Sequence, residues 1–293
     1  MRWTLLLPLL LSPALGQAGA LPDWRSGWGL TTAPADAVQR DQSGIASLKL
    51  DASGDAWQAR VENHLAGPVQ VMLSQDVGTA LLPGLPLQTL LQPQASVVVQ
   101  PLRLPEGARH LALRLEAIPG DPAARPQDVG YQLPFISTRF QVTQAPQGRY
   151  SHTDAENRDA VDFALPEGTP VLAARRGKVM QVQGNFSENG SDPRRDRARA
   201  NFIRILHEDG SMAVYAHLRA NGVLVRSGQQ VEAGQRIGLS GNTGYSTAPH
   251  LHFVVQANVG MQLQSVPVRI VTDRGELRFP REDGSRPTAG ATD

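Results

Sequence analysis

Short runs in which apolar and polar residues alternate dominate the first half of the chain. Ser47-Leu48-Lys49-Leu50, Val69-Gln70-Val71-Met72-Leu73, Ser96-Val97-Val98-Val99 and Leu111-Ala112-Leu113-Arg114-Leu115 are such runs, and clusters of Gly, Pro and Asp separate them. A period of two marks a strand with one buried face. Short strands at this spacing predict a β-sandwich-like domain over residues 21–143. The second half is strand-rich again, with strands predicted at 170–174, 178–182, 202–207, 212–218, 235–239 and 251–256. Ala145-Pro146-Gln147-Gly148 reads as the join. The expectation is therefore an all-β chain whose second domain, antiparallel, covers 144–275. Within it Glu167-Gly168-Thr169-Pro170-Val171-Leu172-Ala173 and Ser227-Gly228-Gln229-Gln230-Val231-Glu232-Ala233 share x-Gly-x-x-Val-x-Ala. Each leads on to a Gly and an apolar strand, the rhythm of a β-hammerhead. Residues 183–200 are polar and Arg-rich, and read as a solvated hairpin loop able to rim a groove. Residues 276–293 read as a flexible tail.

The N-terminus departs from the alternation. One Arg precedes an apolar run from Trp3 to Leu11, and small residues follow, with Ala14-x-Gly16 and Ala18-x-Ala20 as cleavage sites. This predicts a secretory signal peptide over 1–20. The run is about half of the roughly 20 residues a spanning helix needs. Export to the periplasm or cell envelope, with no membrane anchor left after cleavage, is the expectation. A length of 293 residues suits two modest domains, and 41% hydrophobic with 19% charged residues is ordinary for a globular protein. A net charge of +1 gives no electrostatic pull toward nucleic acid. With no cysteine, disulfides and a lipid-bearing Cys are excluded, so a packed core must supply stability.

Five of the seven histidines, His152, His207, His217, His250 and His252, fall in the second half. Pro249-His250-Leu251-His252-Phe253 places two imidazoles on one face of a strand, and a metal ion is the commonest reason for such a pair. Gly241-Asn242-Thr243-Gly244 and Ser246 precede it, a loop able to bend close to a ligand. Val214-Tyr215-Ala216-His217-Leu218 puts another His on a strand. Ala160-Val161-Asp162-Phe163-Ala164 holds a carboxylate inside an apolar run, which is costly unless the group is paired or metal-bound. His207 opens the tight turn His207-x-Asp209-Gly210 and is expected to be exposed. His64 and His110 stand alone in the first domain, as surface or core-edge residues.

Residues 150–256 resemble the lysostaphin-like zinc metalloendopeptidases that cut peptide cross-links in bacterial cell walls. The matching stretches occur in the family's order: Val161-Asp162-Phe163, Pro166-x-Gly168-Thr169-Pro170-Val171, Ala173-x-x-x-Gly177-x-Val179, Tyr215-x-His217-Leu218, Val231-x-x-Gly234-Gln235-x-Ile237-Gly238, Ser240-Gly241-Asn242-Thr243-Gly244 and His250-Leu251-His252-Phe253. The resemblance implies a catalytic Zn2+ held by two His and one Asp, with a water at the fourth position. It makes Asp162 and His252 ligands. It makes His250 the general base and His217 the group that stabilises the tetrahedral intermediate. The implied substrate is the cross-linking stem peptide of peptidoglycan. One position departs from the pattern: the family's first ligand stands four residues before the Asp, and here that residue is Arg158, which stays protonated. His152, ten residues before Asp162, is the nearest His. It reaches the same vertex if 153–158 loops out, with Arg158 turned outward or paired with an acid. Three other readings compete. The first is a degenerate family member that binds the wall or activates another hydrolase. The second is a carrier domain around Lys178, which lacks a Met-Lys-Met setting. The third is a structural envelope protein, which leaves the histidines unexplained.

Overall fold

The computed structural model describes residues 38–40, 44–53, 56–75, 82–103, 113–137 and 139–279. The expected signal peptide, His110 and the chain beyond 279 lie outside these residues. Among the described residues, no helix is long and apolar enough to cross a membrane.

Alternation in the first half produces two facing antiparallel sheets. β1 (Val38–Arg40), β2 (Ala46–Ser53), β3 (Ala56–Asn63) and β6 (Ser96–Arg103) form one in the order β1-β2-β3-β6. β4 (Val69–Gln75), β5 (Leu87–Leu91) and β7 (Leu113–Pro119) form the other, with β4 central. Leu48, Leu50, Ala59 and Val61 from the first sheet meet Val71, Leu73, Leu113 and Leu115 from the second. Met180, Met212 and Leu263 complete this cluster from the second half of the chain. The sandwich is therefore docked rather than tethered. Asn258 Nδ2 sharpens the dock by donating to Gln70 Oε1 at 2.9 Å and to Gly120 O at 3.0 Å.

The second half is built on a ten-stranded sheet. Its main path runs through β16 (Gln230–Val231), β12 (Gly177–Gln183), β14 (Asn201–Leu206), β15 (Met212–Val223), β19 (His250–Asn258), β10 (Val161–Ala164) and β9 (Gln141–Gln144). Off this path, β11 (Pro170–Leu172) pairs with β17 (Arg236–Ser240), β17 also with β15, and β20 (Leu263–Ser265) with β19. All these pairings are antiparallel. One face carries Val161, Phe163, Ile203, Ile205, Ala213, Tyr215, Leu251, Phe253 and Val255, all buried. Tyr131 on β8 (Gly130–Gln132), Phe135, and Ile270 on β21 (Arg269–Thr272) cover it. Edge-on aromatic contacts run through this core, with Phe135–Phe163 at 5.0 Å and Tyr131–Phe253 at 6.2 Å.

Three segments differ from the sequence expectation. Tyr131, Phe135 and Phe140 stand before the Ala145–Gly148 turn, yet they pack in the second core. Periodicity cannot say which core a strand joins. Residues 276–279, expected in a loose tail, are ordered. β22 (Gly275–Glu276) pairs with β21, Leu277 N donates to Ile270 O at 2.7 Å, and Leu277 and Phe279 pack on the core. Finally, 183–200 is more tied down than a solvated hairpin. β13 (Asn189–Gly190) pairs in parallel with β18 (Gly244–Tyr245). The helix α1 (Pro193–Asp196) starts on Pro193, and Asp192 caps it by accepting from Arg194 N at 2.9 Å. Asn201, fully buried, holds Phe186 at both its N–H and its C=O. The segment thereby places Arg197 and Ala200 on the wall of the groove described next.

Candidate metal centre and groove

The other face of the sheet opens into a cavity of about 600 Å³. Register sets its floor. Asp162 stands opposite His252, His252 opposite Ala216 and Ala216 opposite Phe202, so one cross-strand row carries a carboxylate, an imidazole and two apolar residues. The i, i+2 spacing on β19 puts His250 on the same face, with Nε2 at 3.9 Å from Asp162 Oδ1.

His217 reaches this face by a bulge. Asn201 pairs with Leu218 and Phe202 with Ala216, leaving one extra residue on β15. That residue is His217, held at φ +61°. Regular alternation would send it to the core beside Tyr215. The bulge instead brings its ring to 4.5 Å from that of His250, centroid to centroid. A left-handed backbone at a non-glycine residue costs about 1–3 kcal/mol and persists where the surroundings impose it. Here His217 Nδ1–H donates to Thr243 O at 2.7 Å, and Thr243 Oγ1 donates to Leu218 O at 2.7 Å.

His152, Asp162 and His252 converge, with one donor atom from each lying within 4.8 Å of the others. His152 is 2% exposed and Asp162 7% exposed. His152 Nδ1–H donates to Ala145 O at 3.0 Å, which leaves the lone pair on Nε2. That Nε2 is buried without a hydrogen-bond partner, yet it lies 3.3 Å from Asp162 Oδ2. Two electron-rich atoms face each other with no proton directed between them, and a cation resolves that. His252 is prepared in the same way. Asn157 Nδ2 donates to Asp154 Oδ1 at 2.8 Å, which turns Asn157 Oδ1 toward His252 Nε2 at 3.1 Å. His252 Nε2–H donates to it, and His252 Nδ1 is left facing Asp162 Oδ1 at 2.8 Å. Two imidazole nitrogens and a carboxylate, each with its other polar atoms already bonded, fit zinc.

Burial works to raise the Asp162 carboxyl, but His152 and His252 beside it hold it well below the usual carboxylate range. Burial pulls His217 down to about 3, with the His250 charge adding to the effect. Burial lowers His250 as well. His250 Nδ1–H donates to Ala248 O at 2.8 Å. Both rings of the pair are therefore neutral, with their Nδ1 protons committed and their Nε2 atoms free to accept.

The structure thus brings together all five residues singled out for chemistry. Arg158 is exposed, and its main chain closes the 153–158 excursion by donating to Asp154 O. His207 does not match its expectation. The turn forms, with Gly210 N donating to His207 O, but the side chain is 3% exposed. It continues the core-facing series Ile203, Ile205, donates from Nδ1–H to Arg176 O at 2.8 Å and meets Tyr131 edge-on at 5.6 Å. Burial lowers it to about 4. Sequence reasoning missed Asn157, and also Gln144, whose Nε2 donates to Asp162 Oδ2 at 3.1 Å. Both are polar residues in polar surroundings and carry no local signal.

The sequence model of Peptidase family M23 matches residues 156–264, which include Asp162, His217, His250 and His252 and leave His152 outside. Over 95 residues the chain is 42% identical to the Peptidoglycan DD-endopeptidase ShyA of Vibrio cholerae, covering 32% of this chain and 19% of that protein. Over 99 residues it is 43% identical to lysostaphin of Staphylococcus simulans, covering 33% of this chain and 18% of that protein. The chain therefore spans about a fifth of the length of these two relatives. The structure of the antimicrobial peptidase lysostaphin from Staphylococcus simulans aligns with 37% identity and a TM-score of 0.31, covering 41% of this chain and 43% of that one.

Proposed function

We propose that this chain, which carries an M23 peptidase domain over residues 156–264, is an exported zinc endopeptidase that hydrolyses the peptide cross-links of bacterial peptidoglycan. The observation that carries the reading is the convergence of His152, Asp162 and His252 beside the His217–His250 pair, with Asp162, His217, His250 and His252 lining one open groove and His152 buried behind them. The wall substrate is taken from the names of the relatives, and export from the N-terminal Arg, apolar run and small residues.

His152, Asp162 and His252 would hold the metal. Zinc bound there supplies Lewis acidity toward the scissile carbonyl and lowers the pKa of a water to about 7. His250 Nε2 accepts the proton of the attacking water and returns it to the leaving amine. His217 cannot serve a developing oxyanion while neutral, because its one N–H is spent on Thr243 O. Its role depends on the proton taken from water. Resting on one Nε2 before it passes to the leaving amine, that proton makes that ring a donor toward the negative oxygen. The two ring centroids lie 4.5 Å apart, close enough for both imidazoles to adjoin one substrate.

The test is digestion of purified peptidoglycan sacculi by zinc-loaded full-length protein, read by mass spectrometry of the soluble products and by assay of new amino termini. Loss of cross-linked dimers with matching new termini, abolished by chelator and by His252→Ala, is expected. Intact sacculi from a protein that holds zinc would remove the peptidase reading and leave the wall-binding one.

A further inference from the structure

One cation in the groove has no part in the mechanism above. Arg204 on β14 lines the cavity, in the cross-strand row Arg204–Val214–Val254 next to the row that carries His252. Successive same-face rows lie about 7 Å apart along a strand. Val214, Ala216 and Val254, with Ala160 and Phe202, make the floor around it apolar. Nη1 donates to Gln256 Oε1 at 2.8 Å, and Gln256 Nε2 is itself fixed on Glu156 O at 3.0 Å. Nε is shut off from solvent without a hydrogen-bond partner. Among the described residues, no carboxylate forms an ion pair with Arg204. Glu156 faces it across the groove and acts on it through space; burial raises that carboxyl, with the Arg204 charge opposing. Burial pulls the guanidinium down to about 10, so it stays charged at neutral pH.

A half-buried cation whose close hydrogen-bond partner is a neutral amide is costly, and such charges are retained where an anion completes them. We propose that Arg204 is the docking point for a carboxylate of the substrate peptide, placed about three to four residues from the scissile amide. The reach follows from the sheet geometry: Arg204 lies two strands across and one same-face row along from His252, about 12 Å, which three to four residues of extended peptide cover. The class follows from the donor: with Nη1 on Gln256 and Nε shut off from solvent, Nη2 of a permanently charged guanidinium is left to meet an anionic oxygen, as of a carboxylate. The apolar floor between Arg204 and His252 suits small aliphatic side chains at the intervening residues. The proposal rests on the endopeptidase reading and deepens it: the preferred cross-link is acidic near the cut, and amidation of that carboxylate protects the wall.

The experiment compares two synthetic cross-linked stem peptides that differ only in a free carboxylate or a primary carboxamide at that position. The proteins are zinc-loaded wild type, Arg204→Gln and Gln256→Glu, the last supplying an internal carboxylate that occupies Arg204 without removing it. Wild type should favour the carboxylate peptide by about 10- to 100-fold in kcat/KM, expressed in KM. Both variants should bring the ratio toward one with zinc content unchanged. Equal use of the two peptides by wild type, or a preference that survives in both variants, overturns the proposal. Titration calorimetry on zinc-loaded His250→Ala separates the two ideas. If wild type cuts neither peptide, the endopeptidase reading fails. A carboxylate preference in binding that is lost with Arg204→Gln then still supports Arg204, and no preference overturns it.

Discussion

Along β19, Leu251, Phe253 and Val255 enter an aromatic core, while His250, His252, Val254 and Gln256 line the groove. The two sets come from the same nine residues and differ only in parity. The core face is apolar and closed by Tyr131, Phe135 and Ile270 from distant strands, so its residues are judged by volume. The groove face is polar at one end and shallowly apolar at the other, and its residues are judged by which atom carries a proton or a lone pair. A rigid sheet buried on one side holds functional groups on the other with little freedom, which a loop-borne site would lack.

That contrast is testable by substituting across it. On the groove face, His252→Ala should abolish both zinc and turnover, while His250→Ala should keep about one zinc per chain and lose turnover by about 10²–10⁴. Metal analysis beside kinetics checks this pair, and loss of zinc in His250→Ala would reverse the two roles. One residue away, Phe253→Ala should act on stability, costing about 3–5 kcal/mol in denaturant unfolding, because it opens a void among Tyr131, Tyr215 and Val161.

His207 sharpens the comparison as a histidine on the core face. Its folded pKa is depressed, so the neutral ring favours the native state above the unfolded value of about 6.5, and that stability is lost as pH falls toward about 4. Denaturant midpoints should therefore drop over this window, by an amount on the order of 3 kcal/mol. His207→Gln, which keeps an N–H for Arg176 O, should make the drop shallower, with His217 and His250, also lowered by burial, supplying the remainder. The smallest effect belongs to Asn157, which touches no substrate. Asn157→Ala should weaken zinc binding by about 10- to 100-fold in chelator competition, since His252 would lose the acceptor that fixes its tautomer. Unchanged affinity would show that Asn157 only closes its loop.

The strands that build the site were legible because period-two alternation is local, and those predicted at 170–174, 178–182, 202–207, 212–218, 235–239 and 251–256 overlap the observed β11, β12, β14, β15, β17 and β19. The pairing of His250 with His252 on one face follows from the same rule. His207 was misread because a polar turn sequence constrains the backbone and says little about where a ring at its first position goes. The anchored 183–200 segment was missed because Asn201, which holds it, bonds to main-chain groups far along the chain.

By itself the sequence determined which residues share a face of a given strand, and the resemblance in its motifs pointed to the zinc-binding set. Only the tertiary structure decided three further things. It set Asp162 opposite His252 through the β10–β19 register, and it folded 153–158 so that His152 meets both. It also inserted a bulge that turned His217 from the core to the groove. Face assignment depends on the geometry of one strand. Register, loop closure and bulge position depend on how strands far apart in sequence pack, and no single segment carries that information.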